Sequence, residues 1–142
     1  MVEIKEIVTY IVIIAIALLI AQHLNVVVSG SMEPVFYRGD IVAVEKSNLL
    51  GLGIHEFNPE DVKVGDIVVY DAKWVNESVI HRVINITEIN GSTYYVIKGD
   101  HNNAPDPYYV KASQITDRVI TIGDNPLSIP YIGNINLWLK GL

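Results

Sequence analysis

The apolar positions change character once along the chain. Residues 7–21 read IVTYIVIIAIALLIA without a charge, and QHL at 22–24 extends the stretch to 18 positions. Apolar on every face, it predicts a helix with no solvent side. At ~1.5 Å per residue it covers roughly 27 Å, close to the hydrocarbon thickness of a bilayer. A buried soluble helix of this kind would need a large core around it. A cleaved leader would need a basic start and a small-x-small site. Here MVEIKE holds one Lys and two Glu, and QHLNVVV follows the run. Residues 1–28 therefore read as an uncleaved membrane anchor. Lys5 before the span and Arg38 and Lys46 after it do not decide its orientation.

After residue 28 the pattern becomes short β-branched runs punctuated by Gly, Pro, Asn and Asp, with no long helical period. Strands are predicted at 40–45 (DIVAVE), 66–70 (DIVVY), 79–89, 93–98 and 118–122. Gly39-Asp40 and Gly65-Asp66 each lead into an apolar run, an echo too short to be a repeat. Residues 47–64 read as a loop or insertion, with Asn58-Pro59 a turn signal. The fold class is mainly β: an N-terminal transmembrane helix and one small strand-rich domain over residues 29–142.

Asn90-Gly91 is a strong two-residue hairpin signal. In that register Ile89 opposes Ser92. Ile80, Ile84, Ile86, Tyr95 and Ile97 then form a core face, and His81, Val83, Asn85 and Asp100 lie on the polar face. His81 falls directly opposite Asp100. A bulge would shift this pairing by one residue.

Composition narrows the chemistry. The 142 residues are 50% hydrophobic, carry a net charge of −6 and include no cysteine. The acidic balance argues against nucleic acid as a partner. A Cys nucleophile, a thiolate metal site and a disulfide are excluded. No phosphate-binding glycine loop occurs, His55-Glu56 lacks the second His of a zinc helix, and no cofactor or metal is implied.

Just past the apolar span lies Ser29-Gly30-Ser31-Met32-Glu33-Pro34. Such a loop can present a hydroxyl beside free backbone N–H groups; alone, Ser-Gly-Ser is also an ordinary turn. A serine nucleophile needs a base, and the base an orienting group. Of the four histidines, His23 ends the span, His55 lies in a loop, and His101 lies in the loop KGDHNNAPDP (98–107). His81 sits on the hairpin with Asp100 and Asp106 as candidate carboxylates.

In order along the chain, the anchor, SGSMEP (29–34), GDIVVY (65–70), IHRV (80–83), KGDHNNAPD (98–106) and IPYIG (129–133) resemble type I signal peptidase of the archaeal and endoplasmic-reticulum type. Histidine in the fourth motif, where the bacterial branch has Lys, separates the two branches. The resemblance implies Ser31 as nucleophile and His81 as general base. It implies Asp106 as the acidic member and Asp100 as a second, supporting Asp. The Ser29 hydroxyl and the Ser31 N–H would form the oxyanion hole. The hairpin register favours Asp100 as the partner of His81 and the motif favours Asp106; the motif is preferred. His101 stands where the family usually has Asn, and Pro107 where an acidic residue or Arg is usual.

The implied substrate is the signal peptide of a secretory preprotein, cut after a small-x-small motif. It would bind as an added strand, with accessory subunits or a translocon as further partners. The implied location is the cell membrane, or the endoplasmic-reticulum membrane in a eukaryote, single-pass, with the catalytic domain outside the cytoplasm. At the C-terminus, Ile135, Trp138 and Leu139 would either dip into the membrane interface or pack as a terminal strand. Sequons occur at Asn76, Asn85 and Asn90. Two rival readings keep the same anchor: a tethered protease acting on other precursors, and a non-catalytic β-domain that binds a partner at its edge.

Overall fold

The computed structural model describes residues 1–48 and 55–130. Helix α1 (Ile4–Ala21) has no buried residue and is long and apolar enough to cross a membrane. The Glu3 N–H at its start is met by the Glu6 carboxylate at 3.3 Å. It ends where the sequence turns polar. Past its end, His23 Nδ1 lies 2.8 Å from the carbonyl oxygen of Val44.

The strands follow in order as β1 (Leu24–Val26), β2 (Ile41–Ser47), β3 (Glu56–Phe57), β4 (Ile67–Ala72) and β5 (Glu77–Ile89). Then come β6 (Ser92–Lys98), β7 (Val110–Lys111), β8 (Ile115–Val119), β9 (Thr121–Ile122), β10 (Asn125–Pro126) and β11 (Ser128–Ile129). Among the described residues the main sheet runs β1-β2-β8-β4-β5-β6-β7, with β3 and β11 also paired to β2; β9 and β10 form a separate ribbon. The β-rich fold class is thus observed. The sheet takes in β1, so the folded domain reaches back into the stretch assigned to the anchor, and Val27 is already core. The expected strand at 118–122 is instead β8, which begins at Ile115, followed by β9.

Strand β4 is central and buried on both faces, which is why IVVY is a continuous apolar run rather than an alternating one. Val68, Tyr70 and Ala72 pack on one side with Phe57, Val83, Tyr95 and Ile97. Ile67 and Val69 pack on the other with Val27, Met32, Phe36, Val42 and Ile80.

The Gly-Asp echo is a shared turn. Gly39 and Gly65 both take the left-handed region, at φ 92° and 99°. In each case the following Asp accepts from the backbone N–H three residues before it: Asp40 from Tyr37 at 2.8 Å and Asp66 from Lys63 at 3.0 Å. Within the segment read as a loop, the described part holds β3 and a short turn of 3₁₀ helix (Pro59–Asp61) capped by the Asn58 side chain. Residues 49–54, and the C-terminal expectations for Ile135, Trp138 and Leu139, lie outside the described residues.

The hairpin turns at Asn90-Gly91 in the expected register, with Ile89 opposite Ser92 and Ile86 opposite Tyr95. Beyond Asn85 a bulge at Ile84 shifts it, so Val83 meets Ile97 and Arg82 meets Lys98. The shift brings Val83, placed on the polar face by the simple register, into the core beside Tyr95 and Ile97. Ile84 and Ile86, expected in the core, are exposed instead at 39% and 37%.

Candidate active site

Three segments converge beside the cleft that β1 and β5 line together. The first leaves β1 and folds as a turn through Ser29, Gly30 and Ser31. Its anchors are Met32 and Phe36, both fully buried. The second is β5, which carries His81 opposite Val68 of β4. The third is the loop after β6, which returns Asp106 to the strand it left: the Asp106 N–H donates to the Ile97 carbonyl at 2.8 Å.

Ser31 Oγ lies 2.9 Å from His81 Nε2. His81 Nδ1 lies 2.7 and 2.9 Å from the two Asp106 oxygens. A carboxylate only accepts, which assigns the imidazole proton to Nδ1 and leaves Nε2 to take the Ser31 hydroxyl proton. The His81 and Asp106 side chains are 5% and 3% exposed, so bulk water does not screen their contact. Ser29 Oγ lies 2.9 Å from Ser31 Oγ and accepts the Ser31 N–H at 3.4 Å.

The structure brings Ser31, His81, Asp106 and Ser29 together and places Asp100 elsewhere. The direct His81–Asp100 pairing taken from the simple hairpin register is corrected by the bulge. Asp100 instead accepts from Arg82 Nε and one Arg82 terminal nitrogen, both at 2.9 Å. The same guanidinium donates to the Gly65 carbonyl at 2.8 Å. The hydrogen bonds to Asp100 hold its charge and raise the Arg82 pKa. The other histidines lie apart from this arrangement. His55 pairs with Glu45 at 2.7 Å, and His101 contributes its backbone N–H to the Ser31 carbonyl at 2.8 Å.

Beside Ser31 opens a cleft of about 240 Å³, lined by Val26 and Val28 on one wall and by Trp74, Val75, Val79 and Ile80 on the other. Among the described residues β1 pairs only with β2. Among the described residues β6 pairs with β5 only from Arg82 onward, so the 77–81 edge has β4 as its single neighbour.

A family model described as "Signal peptidase, peptidase S26" matches residues 2–88. The chain belongs to this family. It is a type I signal peptidase of the archaeal and endoplasmic-reticulum type. Among similar proteins is an uncharacterised protein of Methanocaldococcus jannaschii, 36% identical, with 86% of each chain covered. The signal peptidase complex catalytic subunits of Sclerotinia sclerotiorum and Verticillium alfalfae are 34% and 33% identical. In each, 81% of this chain and 66% of the relative are covered. The chain therefore spans slightly less than two thirds of the fungal subunits' length.

In this signal peptidase, Gly99 is required by space. A Cβ there would lie 2.7 Å from the Ser31 carbonyl oxygen, 2.7 Å from Asn102 Nδ2 and 3.0 Å from His81 Nε2. Sequence reasoning did not single out Gly99 or Arg82, although both lie inside the motifs that carry the resemblance. It also passed over Tyr70, whose hydroxyl reaches Asp106 at 2.5 Å. The signal available was a phenol ending an otherwise apolar strand, since a buried Tyr needs a partner for its hydroxyl.

Proposed function

We propose that the protein is a membrane-anchored serine endopeptidase that removes N-terminal signal peptides from secretory precursors. The observation that carries this reading is the hydrogen-bonded chain from Ser31 through His81 to Asp106. His81 Nε2 takes the Ser31 proton as Oγ attacks the scissile carbonyl. Asp106 holds the imidazole and stabilises the imidazolium that forms. The Ser31 N–H and the Ser29 hydroxyl, which contact each other in the resting site, are the donors offered to the developing oxyanion. His81 then passes its proton to the leaving amine, and a water activated by His81 hydrolyses the acyl-enzyme. Asp100 supports the site through Arg82 rather than through His81.

The two open edges of β1 and β5 suit an extended peptide laid between them, with side chains alternating into a shallow apolar cleft that admits small residues. Helix α1 serves as a single-pass anchor, with residues 23–142 outside the cytoplasm. Only nine residues (22–30) separate the end of α1 from Ser31, which keeps the nucleophile near the bilayer surface. The fungal relatives are named as subunits of a complex, and accessory subunits or a translocon are the partners this suggests.

The test is cleavage of a preprotein bearing an Ala-x-Ala site by the detergent-embedded chain, beside Ser31→Ala. Wild-type cleavage at the site and none by the variant is the expected result. Equal cleavage by both would sink the proposal. Intact precursor that still co-purifies with both would favour the binding-domain reading.

A further inference from the structure

The hydrogen-bond chain does not stop at Asp106. The Asp106 oxygen nearer His81 Nδ1 also accepts from the Tyr70 hydroxyl at 2.5 Å. Tyr70 Oη in turn accepts from Trp74 Nε1–H at 3.2 Å. The ends of this chain fix its direction. An indole N–H can only donate, and a carboxylate can only accept. Trp74 therefore occupies a lone pair of the phenol oxygen and leaves the phenol proton for Asp106.

The two sides of the carboxylate are unlike. Residues 101–105 of its own loop are all exposed. Tyr70 is 1% exposed and fixed in the central strand β4, among Val68, Tyr95 and Ile97. A carboxylate rotates readily about its last torsion. Besides His81 itself, the rigid core supplies a reference for that rotation through the Tyr70 oxygen. Trp74, in the turn between β4 and β5, is 38% exposed and forms part of the cleft wall beside Ser31.

From these contacts the geometry points to Tyr70 as a positioning residue for Asp106, with Trp74 tying the phenol to the wall of the cleft. Burial, then the bond to Asp106, raises the Tyr70 pKa well above its ordinary value, so the phenol stays a donor wherever the enzyme works. The short O–H···O⁻ bond holds one carboxylate oxygen, and the imidazole proton is then met in a fixed direction. A peptide in the cleft lies against Trp74, so occupancy bears on the last link of the chain. The inference rests on the functional reading of Ser31, His81 and Asp106 given above.

The test uses the full chain in detergent, with a fluorogenic peptide carrying an apolar segment and an Ala-x-Ala site. Tyr70→Phe keeps the ring and removes only the hydroxyl. It is expected to lower kcat about tenfold, the worth of roughly one hydrogen bond, with KM nearly unchanged. The low-field proton resonance of His81 Nδ1–H should shift in the same variant. Trp74→Phe, which keeps an aromatic wall but donates nothing, should show a smaller fall in kcat. Trp74→Ala should raise KM as well.

A purely structural role would leave the resonance in place. Tyr70→Phe with wild-type kcat and an unmoved resonance overturns the inference and leaves Ser31 and His81 untouched. Ser31→Ala that cleaves as well as wild type overturns both the inference and the reading beneath it.

Discussion

The nucleophile and the acid are held by opposite means. The loop of Ser31 is half-buried and anchored in the core: Val27, Met32 and Phe36 flank it and pack into one cluster, and its turns close on themselves through Phe36 N–H to the Met32 carbonyl at 3.0 Å. The loop of Asp106 is nearly all surface. It is fastened by the Asp106 N–H on Ile97, the Asn102 N–H on Gly99, the His101 N–H on Ser31 and the Asp100–Arg82 pair. One side of the site is placed by apolar burial, the other by hydrogen bonds and charge. The rigid base between them, His81, belongs to the sheet. Damage to the two loops should therefore look different: stability is at stake on the first, geometry on the second.

The largest effect belongs to the acid. Asp106→Asn removes the charge and turns one of the two acceptor oxygens facing His81 into a donor, while keeping the shape. In a Ser-His-Asp arrangement this change costs kcat a factor on the order of 10⁴. Thermal unfolding should move by only a few degrees, and the two measurements together check that the loss is chemical.

Met32→Ala should do the reverse. Met32 is fully buried, and truncating it leaves a cavity beneath the Ser31 turn. The expected loss is about 2–5 kcal/mol in urea unfolding. Conditions that restore the folded fraction should restore most of the turnover. A variant as stable as wild type but inactive would break the contrast between the loops.

Asp100→Asn is a smaller lesion on the acid side. The pair is partly exposed, with side chains 31% and 20% accessible. Its bidentate geometry is still favourable. A fall of about tenfold in kcat/KM, roughly 1.4 kcal/mol, is expected, with little change in stability. Arg82→Gln, which also gives up the Gly65 carbonyl, should cost at least as much, and the double variant should cost no more than Arg82→Gln alone, as for two residues sharing one contact.

The same contrast explains what could be read from sequence. The anchor, the β-rich class and strands β2, β4, β5 and β6 follow from local pattern, because each is a run whose period or continuity states its burial. The Ser31 segment was legible as the motif SGSMEP just past the apolar span; the residues that pack it, Met32 and Phe36, sit beside it in sequence. Asp106 was found through motif resemblance, and hairpin arithmetic pointed to Asp100 instead. One bulge at Ile84 was enough to mislead it, since a slip of one residue flips every side chain beyond it. The slip buries Val83 against Ile97, a tertiary contact that no window on β5 alone contains. Strand β1 was hidden because LNV continues the apolar run of α1. The Tyr70–Asp106 contact spans 36 positions and leaves no local trace.

The smallest effect separates two buried phenols. Tyr70 bonds Asp106, whereas Tyr95 bonds the Pro59 carbonyl at 2.8 Å, away from the chemistry. Burial is the first cause raising each pKa above its ordinary 10.0. In the unfolded chain both titrate near ~10. Their contribution to stability is thus intact below that pH and is lost as pH rises through the higher folded values. Each phenol that stays protonated only in the folded state tilts stability downward by about 1.4 kcal/mol per pH unit in that window. Urea unfolding between about pH 9 and 11 should show the decline, and Tyr70→Phe or Tyr95→Phe should each flatten it by up to one proton. Only Tyr70→Phe should also lower kcat at neutral pH. If Tyr95→Phe lowers kcat as much, the phenol matters as core packing rather than as a contact to the acid, and the division between a packed nucleophile and a hydrogen-bonded acid fails at the residue where the two meet.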